Sequence, residues 1–164
     1  MKALRRAVRV ALFNRSATAE STWDEAATAD AVLIVASVAV VTALVRLLRV
    51  GAFDLLLLVE TAIYAVARWI IVALAVWFAA TRLFHSTSSA QSMMQAAGFA
   101  SLPLVLEVVP YGAIVGVVWY LAALLVATME AMDLDLKSAA ASVLIGAAVV
   151  ALIQLLFRIP FILF

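Results

Sequence analysis

The sequence predicts an all-α integral membrane protein, a bundle of five transmembrane helices preceded by a basic amphipathic helix. Of its 164 residues, 68% are hydrophobic and 13% are charged, and the mean hydropathy is +1.21. A soluble domain is usually about half apolar, so this excess requires a lipid bilayer as solvent. The apolar residues form five runs of membrane-spanning length, and a cluster of basic residues precedes the first run.

Basic side chains recur at helical spacing near the amino terminus, over an arc of roughly 100°. They are Lys2, Arg5, Arg6 and Arg9. This pattern favours a short amphipathic helix on an anionic membrane surface; the alternative is a disordered basic tail that only sets the topology. Because the basic residues interrupt the apolar ones, we do not expect a cleavable signal peptide. We assign residues 1–22 to this cytoplasmic helix and a polar linker over residues 14–21, and residues 23–164 to the transmembrane domain.

The transmembrane domain begins with a helix-start pattern. Thr22 and Glu25 form a capping box, which predicts that the first helix begins near Trp23. The five predicted spans cover residues 31–48, 55–80, 93–109, 112–129 and 138–157. At ~1.5 Å per residue the second span is longer than the roughly 30 Å hydrocarbon core, so we expect it to tilt or protrude.

The third predicted span is the weakest, since several polar residues thin its apolar character. Pro103 is expected to kink it, because proline cannot donate the backbone hydrogen bond of a helix interior. Pro110, followed by Tyr111 and Gly112, is expected to form a tight hinge between the third and fourth spans.

Glycines on the later spans predict close packing of helices. They are Gly98, Gly112, Gly116 and Gly146. Small residues let membrane helices approach one another, and such faces often join helices of different chains. We therefore expect the protein to contact another copy of itself, or another integral membrane protein, through these faces.

The distribution of basic residues predicts the orientation in the membrane. Five spans place the two termini on opposite sides. With the amino terminus in the cytoplasm, that side carries seven basic residues and the other side three, in agreement with the positive-inside rule. The net charge of +1 gives no field that attracts nucleic acid, and the chain has no cysteine for a disulfide or a thiolate metal site.

Three charged residues fall within the predicted spans: Arg68, Glu107 and Glu60. A charge at the bilayer centre costs at least a few kcal/mol, so it is normally paired or lines a polar cavity. Side chains lean toward the amino terminus of their own helix, so Arg68 and Glu107 lean toward each other, and Glu60 is the rival partner. One interpretation is a gate, proton relay or lipid-headgroup path. The other is a buried ion pair that fixes the helix register.

The sequence shows no catalytic or metal-binding pattern. His85 lies in a serine-rich loop, but no GxSxG motif accompanies it. There is no phosphate-binding GxxxxGK loop, and the acidic segment 130–137 lacks the spacing of a calcium loop. We expect this segment to be a solvated corner, or to dock against the basic N-terminal helix or a partner. We expect no enzymatic activity, cofactor or metal.

Four stretches carry a family resemblance. GFASLPLVLEVVP, residues 98–110, is similar to a Gly-Tyr-Ala…Pro helix with Phe99 in place of Tyr, and Trp119 lies in the helix that follows. The corner at residues 133–139 and the start ALFNRSATAESTWDEA are also similar. In these stretches the chain resembles the Yip domain family, the Ypt/Rab-interacting polytopic membrane proteins, in its short bacterial form.

The resemblance implies a five-span bundle with a cytoplasmic amino terminus and, for the eukaryotic relatives, roles in membrane trafficking, curvature or partner recruitment. The Asp-Leu-Tyr-Gly-Pro motif of the eukaryotic members is absent, so Rab binding is not implied. We therefore expect a non-enzymatic integral membrane scaffold, or an accessory subunit of a membrane complex. Its expected partners are the lipid bilayer and itself or another integral membrane protein, with no nucleic acid. The alternative is a small transporter or lipid-translocating channel that uses the intramembrane charges.

Overall fold

The described chain folds into helices. The computed structural model describes residues 2–22, 27–51 and 54–162. The elements in chain order are α1 (Lys2–Ala11), α2 (Arg15–Thr22), α3 (Ala27–Val50), α4 (Leu55–Leu83), α5 (Ala90–Ala100), a 3-10 helix (Leu102–Val108), α6 (Gly112–Met132) and α7 (Leu136–Ile162). No strand occurs among these residues, in agreement with the all-α prediction.

Four helices are long and apolar enough to cross a membrane. Their membrane-spanning stretches are Ala27–Arg49, Leu55–Phe84, Gly112–Met132 and Leu136–Ile153. They identify a multi-pass integral membrane protein, as the composition predicted. The predicted third span is not among them, so the predicted count of five spans is not confirmed.

The third predicted span is interrupted where the helix type changes. α5 ends at Ala100, and a 3-10 helix follows with Pro103 in its first turn. Pro103 has no backbone N–H and disfavours α-helical geometry at the residue before it, while Ser101 Oγ donates to the Gly98 carbonyl at 2.7 Å. At rises of about 1.5 and 2.0 Å per residue, α5 and the 3-10 helix together extend about 30 Å. The combined unit therefore has the length of a hydrocarbon core.

Hydrogen bonds between elements define one end of the bundle, which we call the proximal end. Ser86 Oγ, after α4, donates to the Met132 carbonyl at the end of α6 at 2.6 Å. Gln91 Nε2, at the start of α5, donates to Thr28 Oγ1 at the start of α3 at 3.2 Å. Therefore α3 and α5 run away from the proximal end, and α4 and α6 return to it.

At the opposite, distal end, a tight corner reverses the chain between the 3-10 helix and α6. Arg49 donates to the Val108 carbonyl, which joins the end of α3 to this corner. Tyr111 adopts the left-handed conformation, with a φ of 63°. Gly112 follows it, because a Cβ there would overlap the backbone of the 3-10 helix. Pro110, the predicted hinge residue, lies exposed in this corner.

The N-terminal helices pack on the bundle. Ala7 and Val10 of α1 and Ala17 of α2 are buried in the hydrophobic core, and both helices contact α5 and α6. Residues 14–21, predicted to be a polar linker, instead include most of α2. Asn14 Oδ1 accepts a hydrogen bond from the Ala17 N–H at 3.2 Å and so caps the start of α2.

The described residues include the N-cap of the second long helix, α4. The predicted helix start near Trp23 and its capping box, Thr22 with Glu25, depend on residues 23–26. Those four residues lie outside the described part of the chain. Asp54 caps α4, because its carboxylate accepts from two backbone N–H groups of the first turn at 2.9 and 3.2 Å. The 29 residues of α4 extend about 43 Å, against about 30 Å for the hydrocarbon core. α4 must therefore tilt or protrude.

Candidate functional site: a charged cavity inside the bundle

A cavity of about 510 Å³ lies between α3, α4, the 3-10 helix, α6 and α7. Its volume falls in the roughly 300–1,000 Å³ range of small-molecule sites. Most of the wall is apolar, and it includes Val35, Val38, Val72, Leu124, Val143 and Val150. A few polar side chains interrupt this apolar wall, which is the usual composition of a binding site.

Three charged side chains line the cavity: Arg46 of α3, Arg68 of α4 and Glu107 of the 3-10 helix. The structure thus brings Arg68 and Glu107, both predicted from the sequence, to the same cavity. Within the described part of the chain, no ion pair of 4.0 Å or less joins them. Glu60 is exposed and is not part of the cavity wall.

The two arginines lie on antiparallel helices of the cavity wall. Arg46 lies about 6 Å from the distal end of α3, and Arg68 lies about 20 Å from the distal end of α4. Arg46 is exposed and Arg68 is half-buried. Because side chains lean toward the amino terminus of their helix, Arg46 leans along α3 away from the distal end and Arg68 leans back toward it. The two guanidinium groups therefore approach a common depth, roughly 10–15 Å inside the distal end.

The threonine hydroxyls of the cavity wall have hydrogen-bond partners within their own helices. Thr42 Oγ1 and Thr61 Oγ1 each donate to the carbonyl four residues earlier, at 2.8 and 2.7 Å. Among the described residues, neither Arg46 nor Arg68 has a hydrogen-bond or ion-pair partner. Arg68 has an electrostatic neighbour in the Tyr120 phenol. The cavity therefore holds cationic groups whose donors are available to a ligand.

Arg46 is the cavity residue that sequence reasoning missed. Val35, Val38, Thr42 and Arg46 line the cavity, and they follow one another at i, i+3, i+7 and i+11. This is the spacing of one helix face, so helical periodicity is the signal that could have identified Arg46.

Two ion pairs fasten the N-terminal helices to the proximal part of the bundle. Arg6 of α1 pairs with Asp30 of α3 at 3.7 Å. Arg15 of α2 pairs with Glu130 of α6 at 3.4 Å. The second pair joins the acidic segment 130–137 to α2, and not to the basic helix α1 for which the sequence suggested such a contact.

An indole hydrogen bond adds a third attachment of these helices. Trp119 Nε1, within α6, donates to the Ala11 carbonyl at the end of α1 at 2.8 Å. Phe13 lies beside it, over an apolar patch that also includes Ile114 and Val118. The turn between α1 and α2 is therefore seated on α6.

The predicted membrane-surface basic residues have different surroundings. Arg5 is exposed, and Arg6 is in the ion pair described above and lies 5.8 Å from the centre of the Phe99 ring. Arg9 donates to Ser16 Oγ at 3.3 Å. The side chain of Lys2 lies outside the described residues. Arg6 and Arg9 of α1 thus make contacts within the protein, while Arg5 is exposed.

The four predicted packing glycines contact other parts of the same chain. A Cβ on Gly98 would lie 2.6 Å from an alanine side chain of α3, and one on Gly116 would lie 2.8 Å from the Pro103 carbonyl oxygen. A Cβ on Gly112 would lie at least as close to the 3-10 helix, and one on Gly146 at least as close to α4. Because these approaches join helices within the bundle, an interface with another chain needs other residues.

The loop around His85 shows structural contacts. His85 is exposed with a φ of 58°, and the neighbouring Ser86 hydroxyl is bonded to α6. The Ser89 hydroxyl accepts from the Ser92 N–H at 3.1 Å and caps α5. In the portion of the chain that is described, no group of three or more His, Cys, Asp or Glu side chains is placed to hold a metal ion.

The long apolar helices and the cavity between them define a polytopic integral membrane protein. The chain matches the family model of the Yip1 domain over residues 11–158. It belongs to the Yip1 domain family, as the resemblance in the sequence indicated. No curated protein and no solved structure matches the chain significantly.

Proposed function

We propose that this protein is a non-enzymatic membrane scaffold, or an accessory subunit of a membrane complex, that takes part in membrane organisation or trafficking. The observation that carries the proposal is the attachment of α1 and α2, which ion pairs hold against the proximal ends of α3 and α6. This attachment gives the proximal end a fixed surface, so a partner can bind there without first ordering a flexible tail. In this proposal the proximal end faces the cytoplasm.

The outer face of α1 fits a position at the membrane interface. Leu4, Val8 and Leu12 recur every four residues and are exposed, while Ala7 is buried against the bundle. Arg5 is exposed beside this apolar stripe. An apolar stripe bordered by a cation binds at the boundary of an anionic leaflet. In this proposal α1 therefore lies between the bundle and the lipid.

The partner surface in this proposal is the polar proximal end. Exposed side chains of both signs occur there on two connections: Arg82, His85, Asp133, Asp135 and Lys137. The hydrogen bond from Ser86 to Met132 joins the two connections, so the surface is continuous. Mixed charges of this kind favour a partner with a complementary pattern, either another copy or another integral membrane protein.

Association can be measured by native mass spectrometry of the protein in lipid nanodiscs, together with co-purification from membranes. We expect a dimer or a stoichiometric complex with another membrane protein. The double variant Asp133→Asn with Lys137→Gln should weaken this association roughly two- to tenfold, because it removes two surface charges. Asparagine is chosen because Asp133 has a φ of 51°, a conformation that asparagine tolerates.

Glu60→Gln is the matched control. It removes an exposed charge from the distal part of α4, away from the proximal surface, and should leave the association unchanged. A wild-type protein that is strictly monomeric and brings no other membrane protein with it would contradict the scaffold proposal. Nothing in the described structure favours the alternative of a transporter or lipid-translocating channel, and we do not propose it.

A further inference from the structure

We propose that the cavity binds one anionic phospholipid of the surrounding bilayer, with its phosphodiester between Arg46 and Arg68. A scaffold needs no ligand inside its bundle, so this site is a property beyond the proposed function. Three observations support it: the charge of the cavity, the apolar wall that extends inward from its arginines, and its continuity with the lipid-facing side of the bundle.

The cavity carries an excess of positive charge. Arg46 and Arg68 contribute two positive charges and Glu107 contributes one negative charge, which leaves +1. Arg46 is exposed and Arg68 is half-buried, and neither guanidinium has a hydrogen-bond or ion-pair partner in the part of the chain that the structure describes. Guanidinium groups bind phosphate oxygens through paired N–H donors. One phosphodiester carries a single negative charge and neutralises the cavity.

Apolar residues line the cavity on both sides of its charged groups. The guanidinium groups lean toward a depth roughly 10–15 Å inside the distal end, as the helix directions require. Leu47 and Leu57 lie closer to the distal end, and Val35 and Val72 lie farther in, about 22–26 Å from that end. Because α4 exceeds the hydrocarbon core by about 13 Å, the distal turns can lie in the headgroup layer. A phospholipid with its head group at the arginines therefore has an apolar wall farther in for an acyl chain.

The cavity also reaches the lipid-facing side of the bundle. Its wall includes Val117 and Leu121 of α6 and Ala147 and Ala151 of α7, and these residues are exposed. An acyl chain can occupy the space along these residues and continue into the bilayer. A water-soluble phosphate has no apolar part to fill that space. The geometry therefore favours a bilayer lipid over a free anion.

Glu107 restricts which head group fits. Its carboxylate lowers the charge of the cavity from +2 to +1, and it repels any second negative charge placed beside it. The expected ligand is therefore a phospholipid with one net negative charge, such as phosphatidylglycerol.

The test is a lipid titration of the purified, delipidated full chain, in which bound lipids are counted by native mass spectrometry. We expect one phosphatidylglycerol per chain, bound at least about tenfold more tightly than phosphatidylcholine. The double variant Arg46→Gln with Arg68→Gln should lose this preference. Arg82→Gln is the control. Arg82 is an exposed cation on α4, the helix of Arg68, but it lies outside the cavity wall, so this variant should keep the preference for phosphatidylglycerol.

Glu107→Gln gives a second readout that does not depend on the folding of the arginine variant. It raises the charge of the cavity to +2 and should tighten phosphatidylglycerol binding by roughly two- to tenfold.

Circular dichroism and gel filtration establish which variants are folded. Equal affinity of the wild type for the two lipids, or unchanged phosphatidylglycerol binding in a folded double variant, would overturn the proposal. Displacement of the lipid by an equal concentration of glycerol 3-phosphate would overturn it too, because it would identify a soluble-anion site. None of these outcomes bears on whether the protein associates with a partner at its proximal end.

Discussion

Gly112 and Gly51 are required for different physical reasons. A Cβ on Gly112 would overlap the Leu106 carbonyl oxygen, so the residue is small because two backbones touch. Gly51 has a φ of +72°, and a Cβ there would meet nothing within 4 Å. The first glycine therefore supplies space at the distal corner, and the second supplies a backbone conformation that L-residues avoid.

Gly112→Ala should destabilise the protein more than Gly51→Ala. At Gly112 the backbone of the 3-10 helix has to move, and such overpacking costs about 3 kcal/mol. At Gly51 alanine meets only the left-handed conformation, which costs about 1 kcal/mol. The midpoint of thermal unfolding is measured for both variants in the same detergent, with circular dichroism as the signal. Equal midpoints for the two variants would show that the close approach at Gly112 is absent.

Asp135 should make a pH-dependent contribution at the start of α7. The Ser138 hydroxyl donates to its carboxylate, as does the Lys137 N–H at 3.2 Å, and these bonds hold the pKa of Asp135 below its ordinary value of 3.8. Since the folded pKa is depressed, the stabilising contribution is complete above about pH 4 and is lost as the pH falls through the folded pKa. Ser138→Ala should raise the pKa of Asp135 toward the ordinary value. Carboxyl NMR titration in micelles measures it, and an unchanged pKa would contradict this assignment.

Among the helices, the long apolar ones were predicted from the sequence most closely. The predicted spans 55–80 and 112–129 correspond to Leu55–Leu83 and Gly112–Met132, because apolar length alone defines such helices. The change to a 3-10 helix after Ala100 depends on local hydrogen bonds and a proline. The sequence predicted a kink at that point and could not specify the helix type.

The helix α2 could not be predicted from its sequence. Its residues, RSATAEST, are small or polar and show no apolar face that would indicate a helix. Its helical structure is supported by contacts that exist only in the folded protein, since Ala17 and Thr18 are buried and Arg15 pairs with Glu130. In such short helices tertiary packing, and not intrinsic propensity, decides the structure.

Trp119→Phe should loosen the N-terminal helices without disturbing the bundle. The variant keeps an aromatic ring but loses the hydrogen bond to the Ala11 carbonyl, which is worth about 1 kcal/mol. Amide hydrogen exchange in α1 and α2 should therefore become roughly fivefold faster. Trp77→Phe is the matched control, because its indole donates to the Ser88 carbonyl instead. Unchanged exchange in α1 and α2 would mean that Trp119 does not hold them.

For the molecule as a whole, the sequence identified charged residues in the membrane but not their relation to one another. Arg68 and Glu107 were predicted as partners, whereas the structure gives them a shared cavity whose wall includes residues from five elements. The distance between them depends on how the 3-10 helix lies against α4. Composition and periodicity do not determine that placement, so the cavity itself could not be foreseen.

The scaffold proposal is tested most directly by crosslinking in native membranes. The chain has no cysteine, so a single introduced thiol reports on one position. Lys137→Cys places the thiol on the proximal surface, and Val109→Cys places it at the exposed distal corner. With a maleimide–diazirine crosslinker, which binds the thiol and on illumination inserts into neighbouring bonds, the proposal predicts a discrete product, containing a second copy or another membrane protein, from Lys137→Cys and none from Val109→Cys. No product from Lys137→Cys, or equal products from both variants, would contradict it.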